Sequence, residues 1–226
     1  MDGILNRIPE PELMNDEEQA KAYAYADFSQ PHNLFIKTFQ QKFPAIRPGF
    51  NDTVLDLGCG PCDVTRRFAK AYKDTGFHAV DGSFEMLKHA QHLNQQQGFT
   101  HRIKLIEDIL PDVSLPQKQY HAIISNSLLH HLADPFVLWQ TIKQHAKPFA
   151  HIFIMDLVRP VDEQTVKFLS SEYAANEPEV LRTDFENSLR AAFTPDEVQQ
   201  QLDETGLAKL NVEQISDRHM IIYGTR

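Results

Sequence analysis

The chain has 226 residues, 42% of them hydrophobic and 23% charged, with a net charge of −9. That is enough apolar material for one sizeable core, and an acidic chain has no generic attraction for a phosphate backbone, which argues against a nucleic-acid partner. Two cysteines cannot build a disulfide scaffold, the N-terminal residues lack a basic start and a long apolar run, and no apolar stretch approaches the roughly 18 residues of a membrane span. The expectation is a cytoplasmic protein with no membrane partner; composition says nothing of its oligomeric state.

Residues 1–50 read as a helical appendage. A first helix is expected after Asn15, with Asn15 as N-cap ahead of Asp16, Glu17 and Glu18. A second is expected from about Pro31, with Leu34, Phe35, Thr38 and Phe39 on one face. Pro44, Pro48 and Gly49 then break the chain.

From there the pattern alternates. Short apolar strands are expected at 53–57, 77–80, 103–107, 122–125 and 152–155, with helices at 63–71, 83–94 and 135–145 between them. Such βαβ alternation predicts a doubly wound, mostly parallel sheet of Rossmann-like type, covered by helices on both faces. Residues 160–194 read as a helical insertion after the fifth strand. Thr194-Pro195-Asp196-Glu197 carries a capping pattern for a helix that stops at Gly206. Two late strands, at 210–215 and 219–223, complete a seven-stranded sheet. The expected organisation is a cap over 1–50 and a main domain over 51–226, with 160–194 as its lid.

The turn after the first strand, Val54-Leu-Asp-Leu-Gly-Cys-Gly-Pro-Cys-Asp63, admits two chemistries. Gly58 and Gly60 suit a tight turn where a ligand approaches the backbone ahead of a helix N-terminus. Asp81 ends the second strand 21 positions after Gly60, near the spacing at which dinucleotide folds place a ribose-binding acid. Alternatively, Cys59-Gly60-Pro61-Cys62 is the dithiol sequence of thioredoxins, and a cysteine at a helix N-terminus can be reactive. Thioredoxin-type domains are much shorter than this chain, and the Asp-x-Gly approach has no role in them. A zinc site on the cysteines would need two further ligands, so no metal is expected.

These motifs resemble class I S-adenosylmethionine-dependent methyltransferases of the small-molecule type. Val54–Gly60 looks like the first motif of that family. The run from Val80 to Met86 looks like its second-strand motif, the run from Ile106 to Pro111 like its third, and the run from Tyr120 to Leu132 like its fourth. The resemblance implies S-adenosyl-L-methionine as cofactor and in-line methyl transfer to a small-molecule acceptor. It places Asp56 near the cofactor's amino group, Asp81 and Gly82 at the ribose, Asp108 at the adenine amino group, and Met86 and Ile109 on the adenine faces. Asn126 falls close to the donor sulfur, and an N-terminal aromatic, Tyr25 with Tyr23 and Phe28 as neighbours, closes the pocket. His130, His131 and Asp156 are the candidate catalytic bases. Successive helical positions diverge by about 100°, so at most one of the two histidines faces the pocket; in the family the second more often packs structurally. Arg159, Arg182 and Arg190 would favour an acidic substrate if they lined the site. Cys62 stands where the family usually has a third glycine, and is expected to crowd the methionine end. A thiol–disulfide oxidoreductase and a non-catalytic cofactor binder remain as alternatives.

Overall fold

Strand side chains alternate between the two faces of a sheet, and β1 (Thr53–Leu57) divides the core accordingly. Val54 faces one apolar cluster, with Phe35, Phe39, Phe68 and Phe153. Leu55 and Leu57 face the other, with Trp139, Ile142, Ile152 and Ile154. The computed structural model describes residues 5–11, 13–46 and 52–226. In it β1 is followed by α3 (Asp63–Ala71), β2 (Gly76–Asp81), α4 (Phe84–Gln96), β3 (Ile103–Glu107), β4 (Tyr120–Asn126), α5 (Phe136–His145) and β5 (Ala146–Leu157). The sheet order is β3-β2-β1-β4-β5-β7-β6, with β6 (Asn211–Gln214) and β7 (His219–Thr225) as the last two strands. β1 pairs parallel with both β2 and β4, so the chain reverses direction across the sheet there; β7 runs antiparallel to β5 and β6. This is the fold class expected from the alternation. It places the switch point, and with it the natural ligand crevice, at the C-terminal ends of β1 and β4.

The elements differ from expectation mainly at their ends. β5 begins six positions early, at Ala146, because the segment that leaves α5 pairs at once with Tyr120. The first helix, α1 (Glu17–Tyr25), is capped by Asp16 rather than Asn15: the Asp16 carboxylate accepts from Gln19 N at 2.9 Å. The second, α2 (Ser29–Lys42), begins two residues before Pro31, which sits in the first turn where its missing N–H costs nothing. The breaks expected at Pro48 and Gly49, and the proposed boundary near residue 50, lie outside the described residues. The insertion folds as α6 (Glu163–Tyr173) and α7 (Glu179–Ala191). Thr194 and Glu197 close the expected capping box of α8 (Pro195–Thr205), which ends at Gly206 in the left-handed region.

The α2 helix packs on α3 through an aromatic cluster. Phe39 lies edge-on to Phe68 and Phe153, at centroid distances of 4.7 and 5.5 Å, and is fully buried. Phe39→Ala is therefore expected to lower unfolding free energy by about 3–5 kcal/mol, read from the denaturant midpoint. A loss below about 1 kcal/mol would mean that α2 is not part of the core.

Candidate active site

The C-terminal end of β1 turns sharply because two residues take positive φ. Gly58 has φ +70° and Gly60 φ +50°. A Cβ at Gly58 would sit 2.8 Å from Leu128, so a side chain there would displace the turn that follows β4. A Cβ at Gly60 would meet nothing within 4 Å, because that face of the loop opens onto a cavity. The loop is held from β2. Val80 O accepts from Gly58 N and Cys59 N, both at 2.9 Å. The Asp81 carboxylate accepts from Gly60 N at 2.7 Å and from Ser83 N at 2.8 Å. Burial raises the Asp81 pKa, while these two N–H donors oppose the rise. Ser83 is the N-cap of α4, accepting from Met86 N and donating to Met14 O at 2.6 Å.

The cavity has a volume of about 270 Å³ and is lined by both glycines and by Asp56, Asp81, Gly82, Met86, Asp108, Ile109 and Asn126. The structure thus brings together nine of the ten residues assigned to the cofactor. Tyr25 is the exception. It is exposed and meets His89 edge-on at 5.6 Å, whereas Tyr23, two residues earlier and so on the opposite face of α1, lines the cavity with Phe28. Burial first, then the negative charges of Asp81, Asp156 and Asp63, push the Tyr23 phenol up to about 12. Gly82 lies against the N-terminal segment: a Cβ there would come within 2.8 Å of the end of the Leu13 side chain and 3.2 Å of the Ile109 side chain. The N-terminal segment therefore rests directly on the second-strand turn.

Asp56 is buried and accepts from Thr65 Oγ1 at 2.5 Å. Burial raises its pKa to about 7 against the opposing hydrogen bond. Asp108 accepts from Ile109 N at 2.9 Å and Ser114 N at 2.7 Å, so it organises its own turn as well as facing the cavity. Asn126 donates through Nδ2 to Ser127 Oγ, while its buried Oδ1 has no partner. An unsatisfied buried carbonyl oxygen at a cavity wall is an acceptor held ready for a ligand donor.

The candidate bases divide. Asp156 is 1% exposed and does not line the cavity. It accepts from Leu129 N at 2.8 Å, Leu157 N at 2.8 Å and His130 Nδ1 at 2.6 Å. Its role is to fix the turn after β4, and its carboxylate has no path to a substrate. His130 is 3% exposed behind it. Burial lowers the His130 pKa, but the Asp156 charge and hydrogen bond outweigh this and leave it raised. His131 does line the cavity. The two histidines sit in a short 3-10 helix, Leu129–His131, and the second, not the first, faces inward, the reverse of the family-based expectation. Burial and the neighbouring His130 push His131 down to about 3, so it is neutral and a weak base.

The arginines supply no acidic-substrate clamp. Arg159 is buried on Leu5 O, Ala192 O and Glu197; Arg190 pairs with Glu163 and Glu186; Arg182 is exposed. No residue of 160–194 lines the cavity. That segment instead backs the N-terminal one, through Ile8 N to Arg190 O at 3.0 Å, Ser188 to Glu10 and Gln19 to Asp184. The cover over the site comes from residues 13–32: Leu13, Met14, Tyr23, Phe28 and His32. His32 Nδ1 reaches Asp63 at 2.7 Å, and Arg67 bonds the same carboxylate oxygen. Despite the cost of burial, those two partners hold the Asp63 carboxyl well below its usual range.

Cys59 and Cys62 are both buried free thiols. Burial raises the Cys59 pKa well above that of an ordinary thiol, the opposite of what a redox nucleophile needs. Cys62 has φ +62°, which explains why glycine is the common residue at this position. Its side chain is fully buried in the aromatic cluster and does not line the cavity, contrary to the expected crowding.

Comparison with known proteins agrees with this geometry. Residues 54–149 match the family described as Methyltransferase domain. A 2-phytyl-1,4-naphtoquinone methyltransferase from Trichormus variabilis is 31% identical over 124 residues, covering 54% of this chain and 53% of that protein. An ubiquinone biosynthesis O-methyltransferase from Actinobacillus pleuropneumoniae is 24% identical over 177 residues, 75% of this chain and 74% of that one. The chain thus spans about half the length of the first of these relatives. Among solved structures, an S-adenosylmethionine-dependent methyltransferase from Aquifex aeolicus superposes with a TM-score of 0.66 at 19% identity, over 93% of this chain and 98% of that one. The plantazolicin methyltransferase BpumL, solved with S-adenosylhomocysteine, gives 0.65 at 15% identity, over 93% and 90%. The fold is that of class I S-adenosylmethionine-dependent methyltransferases. Residues 54–149, the stretch similar to a methyltransferase domain, carry β1 to β4 and the turns at their ends.

Two measurements check the site. Neither thiol should react with an aromatic disulfide reagent in the native protein within minutes, and both should react after unfolding; one fast native thiol would reopen the redox reading. Asp56 is protonated in the folded chain up to about pH 7 but ionised above about 3.9 once unfolded. The folded state therefore binds the extra proton, and stability falls as pH rises between these values. Asp56→Asn removes that slope: relative to wild type, it should gain stability between pH 5 and pH 7 in urea melts. Parallel pH profiles would contradict the assignment.

Proposed function

We propose that the protein transfers a methyl group from S-adenosyl-L-methionine to a small, neutral, largely apolar acceptor. The observation that carries this is the cavity at the β1/β4 switch point, where an open glycine loop, the Asp81 carboxylate and the unpartnered Asn126 oxygen face one space. When bound, the cofactor supplies a methyl group already activated by its sulfonium charge. Gly58 and Gly60 allow close approach to the backbone. Asp81 offers its remaining lone pairs to the ribose diol, and Met86 and Ile109 flank the adenine. Asp56 and Asn126 stand toward the amino-acid and sulfur end. The wall is acidic: Asp27, Asp63, Asp108 and Asp134 line it as well as Asp81, against Arg67 as its one Lys/Arg among the described residues, itself tied to Asp63. That field favours a cationic cofactor and disfavours an anionic acceptor.

Among the three expected bases, His131 alone reaches the cavity, and it is a weak one. Catalysis then rests mainly on holding acceptor and methyl in line, with His131 as a neutral polar group at the cavity wall. Leu13, Tyr23, Phe28 and Leu132 form the apolar cover that excludes water and selects the acceptor. In the same reading, 1–50 is a cap on the 51–226 domain, 160–194 braces the cap from behind, and the protein acts in the cytoplasm without a nucleic-acid or membrane partner. No described helix is long and apolar enough to cross a membrane.

Isothermal titration with S-adenosylhomocysteine tests the reading. One equivalent should bind, and Asp81→Ala should weaken binding by about 10–100-fold, the loss of hydrogen bonds to a charged group worth about 1.5–3 kcal/mol. Tyr23→Ala should weaken binding, and Tyr25→Ala should leave it within about twofold, as a surface change does. An Asp81→Ala protein that folds and binds like wild type would refute the assignment.

A further inference from the structure

The N-terminal segment brings a carboxylate onto the two histidines, 120 and 121 positions away. Glu10 Oε1 lies 3.6 Å from His130 Nε2 and 3.1 Å from His131 Nδ1, and the three residues each offer a ligand atom within 4.8 Å of the other two. Glu10 and His131 are partly buried, and His130 is buried. His130 gives its Nδ1 to Asp156 at 2.6 Å, which leaves Nε2 turned toward Glu10. His131 Nδ1 is buried and has no hydrogen-bond partner. Ser188 Oγ donates to Glu10 Oε1 at 3.1 Å and steadies that carboxylate.

We propose that Glu10, His130 and His131 form a binding site for one divalent transition-metal ion of the zinc class. Imidazole and carboxylate are the donors such ions take, at about 2.0–2.2 Å, so a tetrahedral site separates neighbouring donors by about 3.3 Å. The two Glu10 distances bracket that edge. The Asp156–His130 pair is the arrangement in which a carboxylate fixes the tautomer and orientation of a metal-bound imidazole. Three ligands leave a fourth position free for water or another donor. The charges facing the site are mixed. Asp156 and Glu10 favour a cation, with Asp184 further out, while Arg7 opposes it. The Arg7 guanidinium, however, is committed to Ala191 O, His130 O and Leu132 O.

The consequence is mechanical. Glu10 sits shortly before Leu13 and Met14, which cover the cofactor cavity, and the histidines sit on the turn that follows β4. A bound ion ties cap to core at this point, independently of whether methyl transfer is the activity.

The test uses the full chain, dialysed against chelator and then titrated with Zn2+ by calorimetry and with Co2+ by visible absorption. The proposal expects one tight equivalent, a Co2+ spectrum of low coordination number, and slower protease cleavage within residues 5–14 in the metal-bound form. Glu10→Gln and His131→Gln, each checked for native far-UV dichroism, should each weaken binding by about tenfold or more, while His101→Ala, at an exposed histidine, should not. If Glu10→Gln does not fold, His131→Gln and the cleavage rate decide. Binding with no fixed stoichiometry, or equal binding in wild type and in the folded variants, overturns the proposal.

Discussion

The Asp81 carboxylate joins the two turns that make the site. One oxygen accepts from Gly60 N, in the turn after β1, and the other from Ser83 N, in the turn after β2. Each turn would otherwise be a flexible glycine-containing connection. Joined to one rigid acid, at the ends of two parallel-paired strands, they become a preformed wall. The join also limits what can bind. A carboxylate with two backbone donors keeps lone pairs for further donors, so a diol can approach it, whereas a second anion there is repelled.

The acid wall and the apolar cover divide the work. Aspartates from β2, the turn after β3 and the first turn of α3 make one wall acidic. Leu13, Met14, Tyr23 and Phe28 close the same space with a largely apolar surface. The cover is itself braced: Arg7 stacks on Phe193 at 4.0 Å and bonds the carbonyls of the turn carrying His130, while Ile8 and Leu5 bond the insertion. Residues 160–194 thus buttress the N-terminal segment, part of which covers the cavity.

What could be read along the chain was what depends on short spacings. Gly58, Gly60 and Asp81 stand at a separation that two adjacent parallel strands impose, so their meeting was legible. The capping box at Thr194 and the aromatic face of α2 are local in the same way. What could not be read depends on contacts between distant segments. Nothing in the sequence near His130 shows that Glu10 arrives there, or that Asp156 is enclosed by the turn it appeared to serve as a base. Tyr23 and Tyr25 are two positions apart on a polar helix with no clear apolar stripe, so periodicity could not choose between them. The order of His130 and His131 was misread because the turn is a three-residue 3-10 helix whose orientation is set by Asp156. Cys62 looked like an intrusion into the cofactor space, yet its left-handed backbone turns the thiol into the core.

The central claim is that the Asp81-held loop pair is the cofactor site. A crystal structure of the protein with S-adenosylhomocysteine tests it most directly. The account predicts the ribose hydroxyls within hydrogen-bond distance of the Asp81 carboxylate, with the adenine between Met86 and Ile109 and Tyr23 over the ligand. A ligand bound elsewhere, or one whose ribose makes no contact with Asp81, would contradict it.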